Sequence, residues 1–193
     1  DKPLPDYVLK NQLTVAKSDS DSDLPLTTRA VTVPIDQIGK AAAGIGHLNT
    51  VADVDGGVRS EPLVLQFYDQ YYPSLSTLIA AKSLNLGVSD IKVQLGQGVS
   101  LGNLHIATDP NLQMNTFFYK DREGQPAFRV DSFFDVYSGK INPDIYRDKI
   151  VLIGPTAAGV GTTQVTPTSP AMAPVLTLAN SVSSILQENF FVV

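Results

Sequence analysis

Hydrophobic and polar positions follow two periods along this chain. Ile91-Lys92-Val93-Gln94-Leu95 alternates strictly, as a strand with one wet face does. Leu75, Leu78, Ile79 and Leu86 recur at helical spacing between Pro73-Ser74 and Gly87, which predicts a helix with a start and a stop signal. Near the end, Val175, Leu178, Ala179, Val182, Ile185 and Leu186 form a longer helical stripe. Ser181, Ser183, Ser184 and Gln187 fall largely off that stripe and are expected to face solvent or a partner. Between the two helices, Lys149-Ile150-Val151-Leu152-Ile153 is unbroken apolar after its lysine, the pattern of a central strand buried on both faces.

Shorter signals fill the gaps. Pro34-Ile35-Asp36-Gln37-Ile38 opens a helix through Ala41–Ala43, stopped at Gly44. Gly46–Thr50 and Val58–Tyr68 read as two strands joined by the tight turn Asp53-Val54-Asp55-Gly56-Gly57. Leu104 with Ile106, and then Phe117–Tyr119, predict two more strands. Asp131 reads as the N-cap of a short helix, Ser132–Ser138, ended by Gly139. From Gly154 to Pro174, 13 of 21 residues are Gly, Pro, Ser or Thr, so this stretch reads as a long loop. Residues 1–29 read as a loosely ordered segment: Leu13–Ala16 suggests a short strand, and Ser18–Asp23 a solvated run. Residues 30–193 then form a single α/β domain, with a mixed, partly antiparallel central sheet and flanking helices.

Composition narrows the function. At 193 residues and 43% hydrophobic, the chain can bury a sizeable core. Lys and Arg total 14 against 19 acids, with no basic run, so no nucleic-acid partner is expected. Cysteine is absent, which removes disulfides, thiolate metal sites and a Cys nucleophile, and suits an extracytoplasmic bacterial protein.

Motifs with chemical content are few. Gly98-Val99-Ser100-Leu101-Gly102 fits the G-x-S-x-G nucleophile elbow, which needs a strand-to-helix turn, a His and an acid. After Ser100 the sequence reads as a strand, and the sole downstream His, His105, is five residues away with no acid between. A Gly-rich turn between strands is the better account, and a Ser100 hydrolase the remote alternative. Gly154, Gly159 and Gly161 follow an apolar strand but lack the Lys of a phosphate loop; no charged residue lies between Ile150 and Gln187. In the Asp19/Asp21/Asp23 run Leu24 and Ala30 stand where a calcium loop needs its Gly and Glu; Asp53 and Asp55 precede Gly56, but the loop's first position would be Val51 and its last Pro62. Asp53, Asp55, Gly56 and Arg59 therefore read as a structural turn, with no metal and no cofactor expected.

Preceded by Gly46-His47-Leu48-Asn49, the run Asp53-Val54-Asp55-Gly56-Gly57-Val58-Arg59 resembles the G-h-x-N…D-x-D-G-x-x-R hairpin of the type-two CHASE domain. The resemblance continues in order. It runs through Tyr72-Pro73-Ser74-Leu75, Asp109 to Tyr119, Asp131-Ser132-Phe133-Phe134-Asp135-Val136-Tyr137-Ser138-Gly139 and Lys149-Ile150-Val151-Leu152-Ile153-Gly154. It ends in Thr166-Pro167, Met172-Ala173-Pro174 and Ala179-Asn180. Pro174-Val175 replaces the usual Gly-Val pair, and Thr177-Leu178 stands where a His is common. The family's first strand does not precede residue 1, which suggests a fragment beginning inside the domain.

That resemblance implies an extracytoplasmic sensor of a bacterial membrane receptor, non-enzymatic, feeding a cytoplasmic cyclase or kinase. The implied partners are an unknown small-molecule ligand, a membrane tether through segments outside this chain, and a possible second copy. A ligand-free dimerisation module is the alternative. On residue grounds the ligand site is placed in the 154–174 loop, at Thr156, Thr162 and Thr163, with Asn180 near its exit. Uncharged donors there suit a neutral or zwitterionic molecule.

Overall fold

The computed structural model describes residues 3–16, 24–157 and 159–191, so the Ser18–Asp23 run lies outside the described residues. The fold is mixed α/β, and its sheet is divided into four short pieces. The largest joins β1 (Val15–Ala16), β6 (Ile91–Gln94), β7 (Gly98–Leu101) and β8 (Leu104–Ala107) in that order. β1 runs parallel to β6 and the remaining pairs are antiparallel. The alternation of β6 is realised as expected: Ile91 and Val93 are buried, Lys92 and Gln94 exposed.

A second sheet sets β4 (Val64–Phe67) between β2 (Leu26–Thr28), parallel, and β5 (Gln70–Pro73), antiparallel. A third sets β9 (Gln113–Thr116) between β3 (Ser60–Pro62) and β12 (Phe190–Phe191), both antiparallel. β10 (Gln164–Thr166) and β11 (Ser169–Met172) form a hairpin inside the stretch read as loop. Leu63, Val99, Ile106, Leu112, Met114 and Ile185 are among the fully buried members of one core shared by the sheets and helices. Ahead of it, α1 (Asp6–Leu9) places Tyr7 and Val8 against Tyr72 in a smaller cluster, and Gly39 of α2 (Asp36–Ala41) lies directly on the Tyr7 ring.

Two helices position the candidate site. α3 (Leu75–Ser83) starts as its sequence demands, with Ser74 Oγ accepting from Thr77 N–H at 3.1 Å. It stops before Gly87, because Asn85 takes the left-handed conformation (φ 59°) and Leu86 N–H returns to the Ala81 carbonyl at 2.8 Å. α5 (Pro174–Leu186) begins on its proline, where the missing N–H costs nothing. Likewise α4 (Phe133–Tyr137) falls inside the expected Ser132–Ser138, but its N-cap is Ser132; the Asp131 carboxylate instead accepts from Arg129 and Tyr146, each at 2.7 Å.

Several expectations are corrected. Residues 150–153 form no strand: Ile150, Val151 and Ile153 are 46%, 51% and 76% exposed. Among the described residues, no backbone hydrogen bond involves residues 150–156. An apolar run becomes a central strand only when neighbouring strands supply ladder partners and cover. Here none does. The Gly46–Thr50 segment does not pair as a hairpin with Val58–Tyr68 either. His47 bridges Ser74 in parallel, and the expected hairpin shrinks to one Val51–Ser60 bridge.

Gly98–Leu101 is a strand rather than a turn; the turn comes at Gly102, with φ 57°. Phe117–Tyr119 makes no strand because two of its N–H groups are taken by side chains of α5. Phe117 N–H donates to Ser184 Oγ at 3.0 Å and Tyr119 N–H to Asn180 Oδ1 at 2.9 Å. The same contacts overturn the solvent-facing assignment of α5's serines. Ser181 and Ser184 are fully buried, and Gln187 alone of the four is exposed. A serine can enter a core when its hydroxyl finds partners, and Ser184 also donates to the Phe117 carbonyl at 3.1 Å.

Candidate functional site

The uncharged stretch folds over the start of α5 and encloses a cleft of about 820 Å³. Thr156, Thr162 and Thr163 line it, the β10–β11 hairpin supplies Thr168 and Ser169, and Tyr119 and Phe128 complete the lining. The loop reaches this position because Gly154 packs on α5; a Cβ there would stand 2.7 Å from Cβ of Val175. Gly159 and Gly161 then turn the chain back with φ near 80°. The two rings meet edge to face with centroids 6.0 Å apart, an apolar part of a lining otherwise rich in hydroxyls. Lys120 and Asp121 bring one charge of each sign to the lining, and Thr168 Oγ1 is buried without a hydrogen-bond partner among the described residues.

All four residues assigned to a ligand from sequence therefore line one cavity, but Asn180 differs in kind. It is 1% exposed, its Oδ1 is taken by Tyr119 N–H, and its amide nitrogen donates to the Leu176 carbonyl at 2.8 Å. It builds the floor of the cleft, while the threonines are exposed to it.

The Asp53–Arg59 turn stands behind the hairpin. Arg59 bridges both aspartates, reaching Asp55 Oδ1 at 2.8 Å and Oδ2 at 2.7 Å, while Asp55 Oδ1 accepts from Gly57 N–H at 2.9 Å. The Arg59 hydrogen bonds, and then that of Gly57, hold the Asp55 carboxyl well below the usual carboxylate range. Gly56 supplies the positive φ of 81°. With both carboxylates committed to Arg59, this turn offers no free ligand set.

Ser100 and His105 are cross-strand partners on β7 and β8, with Oγ 3.0 Å from Nδ1. Their sequence proximity thus places the two side chains together across a hairpin, a pair without the acid that a triad needs. Neither lines either of the two large clefts, and among the described residues no carboxylate bonds to His105.

Sequence reasoning missed a second cleft, of about 860 Å³, between residues 28–34 and 45–50 and lined by Val8, Ile45, His47, Phe67 and Tyr72. Burial alone pushes the His47 imidazole down to about 4. Its Nδ1 accepts from Asn49 N–H at 3.3 Å, and Nε2 is buried without a partner. The signal available was Gly46-His47, where Gly46 admits the backbone of Leu75 at 2.5 Å from its ideal Cβ position.

Short mixed sheets, flanking helices and a hydroxyl-lined cleft beside α5 define a domain of mixed α/β class. The sequence matches the CHASE2 domain family over residues 3–192, and the chain belongs to that family. CHASE2 domains are sensory domains of signalling receptors. No curated protein and no solved structure matches the chain.

Proposed function

We propose that this chain is the extracytoplasmic signal-input domain of a bacterial transmembrane receptor, with the cleft beside α5 as its ligand site and a cyclase or kinase as its output. The observation that carries the reading is the convergence of Thr156, Thr162 and Thr163 on a cavity whose floor is α5 itself. A small neutral or zwitterionic molecule suits that lining: hydroxyls, the Tyr119–Phe128 ring pair, and one charge of each sign. Binding biases output only if the ligand contacts two positions of α5 or the hairpin unequally. Thermal-shift measurement with amino acids, betaines and monosaccharides tests this. A hit at about 100 times its Kd stabilises by about 2.7 kcal/mol, and the shift should vanish in Thr162→Val/Thr163→Val. Shifts that survive the double substitution place the ligand elsewhere.

A second reading, a dimerisation module without small ligand, draws on the exposed apolar side chains between residues 130 and 153. Phe133, Phe134 and Tyr137 are 64%, 71% and 81% exposed, and Ile150, Val151 and Ile153 add to them. Sedimentation across a hundredfold concentration range discriminates it. Self-association lost in Phe133→Ser/Phe134→Ser favours the module; a monomer throughout leaves the ligand reading.

A further inference from the structure

Among the described residues, Glu61 is a buried acid without a cation partner. It sits at the middle of β3, 7% exposed, where α3 and α5 pack on each other. Ser76 of α3 donates to its Oε1 at 2.6 Å, and Ser181 of α5 to its Oε2 at 3.4 Å. Those serines are tied in turn to neutral hydroxyls: Ser76 to Ser74 at 2.7 Å and Ser181 to Thr116 at 3.4 Å. The single carboxyl group thus links both helices to the strand.

Among the described residues, the charged groups around it offer no compensation. α5 and β9 contain no ionisable residue, and α3 contains only Lys82, exposed in its last turn. Arg59, two residues away on the same segment, is held by Asp53 and Asp55. His47, whose backbone brackets Ser74, stays neutral down to about 4. Burial pushes the Glu61 carboxyl up to about 7, against the weaker downward pull of Ser76 and Ser181.

We propose that Glu61 is a proton-operated latch between α3 and α5, through which this domain responds to pH independently of any occupant of the cleft. Protonated, Glu61 is a neutral hydrogen-bonded group that the helices close over. Once its proton passes to water, an uncompensated charge stands between them and α5 loosens. Because the folded-state value lies above the ordinary 4.5, the stabilisation is fully present below that value. It is lost as pH rises through about 7.

Carbon-13 labelling of glutamate carboxyls tests this directly, because the chain has three glutamates and the other two, Glu123 and Glu188, are exposed. The expected result is a Glu61 resonance with a midpoint near 7, and Val182 and Ile185 methyl resonances on α5 moving with the same midpoint. In Glu61→Gln those methyls should stay fixed over that range. A Glu61 midpoint in the ordinary carboxylate range overturns the proposal, and so does a midpoint near 7 that α5 ignores. The wild-type titration decides both points even if the variant fails to fold.

Discussion

The backbone N–H of Val58 donates to the carbonyl of Val165 at 2.7 Å. One hydrogen bond thus fastens the Asp53–Arg59 turn to the hairpin that lines the cleft, although the two are more than a hundred residues apart in sequence. Behind it, Thr116 N–H donates to the Arg59 carbonyl at 3.0 Å, joining turn, β9 and hairpin in one layer. The turn is a brace for the cleft, and its chemistry serves that purpose.

Asp55→Ala removes the two-oxygen grip on Arg59 and the Gly57 contact together. It should lower Tm by about 2–4 °C, and amide exchange at Val58 should speed up. The Asp55 carboxyl is held below its ordinary range, so its contribution is present above about pH 4 and fades as pH falls further. The wild-type advantage over Asp55→Ala in melting scans should therefore shrink toward pH 2. A constant difference would assign the effect to backbone geometry instead.

His47 carries the opposite kind of pH dependence from Glu61. Its folded-state value lies below the ordinary 6.5, so its stabilisation is present above 6.5 and lost as pH falls through about 4. The chain has two histidines, His47 and His105. Nitrogen-15 spectra of the imidazoles should show the His47 ring neutral at pH 5, with its proton on Nε2 because Nδ1 accepts from Asn49. A charged His47 at pH 5 would mean that water reaches this ring freely.

Ser100 should be dispensable. Its hydroxyl lies near an imidazole on an exposed hairpin, outside both large clefts, so a fluorophosphonate probe should leave the purified chain unlabelled. Stoichiometric labelling lost in His105→Ala would establish a working Ser–His pair.

Gly154→Val should strain the loop against α5, since even a bare Cβ meets Val175 at 2.7 Å. The expected outcome is a fall in Tm of about 2–4 °C, with altered exchange confined to residues 155–165 and the first turn of α5. Wild-type exchange in that region would show that the close approach is absent in solution.

What the sequence determined by itself is local. Serine before an apolar helical stripe placed the start of α3, strict alternation placed β6, and the Asp-x-Asp-Gly-x-x-Arg spacing specified its own turn. Each rests on dihedral preference or on partners within a few residues. That Thr156, Thr162 and Thr163 share one uncharged, hydroxyl-rich stretch was also legible; that they line a common cleft was not, because the strand expected to lead into that stretch does not form. Tertiary structure decided the rest, because burial depends on what stands opposite. Ile150–Ile153 has the composition of a core strand yet lies on the surface, with no ladder partner among the described residues. Ser181 and Ser184 have the composition of a wet helix face yet are buried, because Glu61 and the backbone of Phe117 meet their hydroxyls. Glu61 itself, in sequence one more acid beside a turn, becomes a buried group with no cation partner among the described residues only when α3 and α5 close over β3.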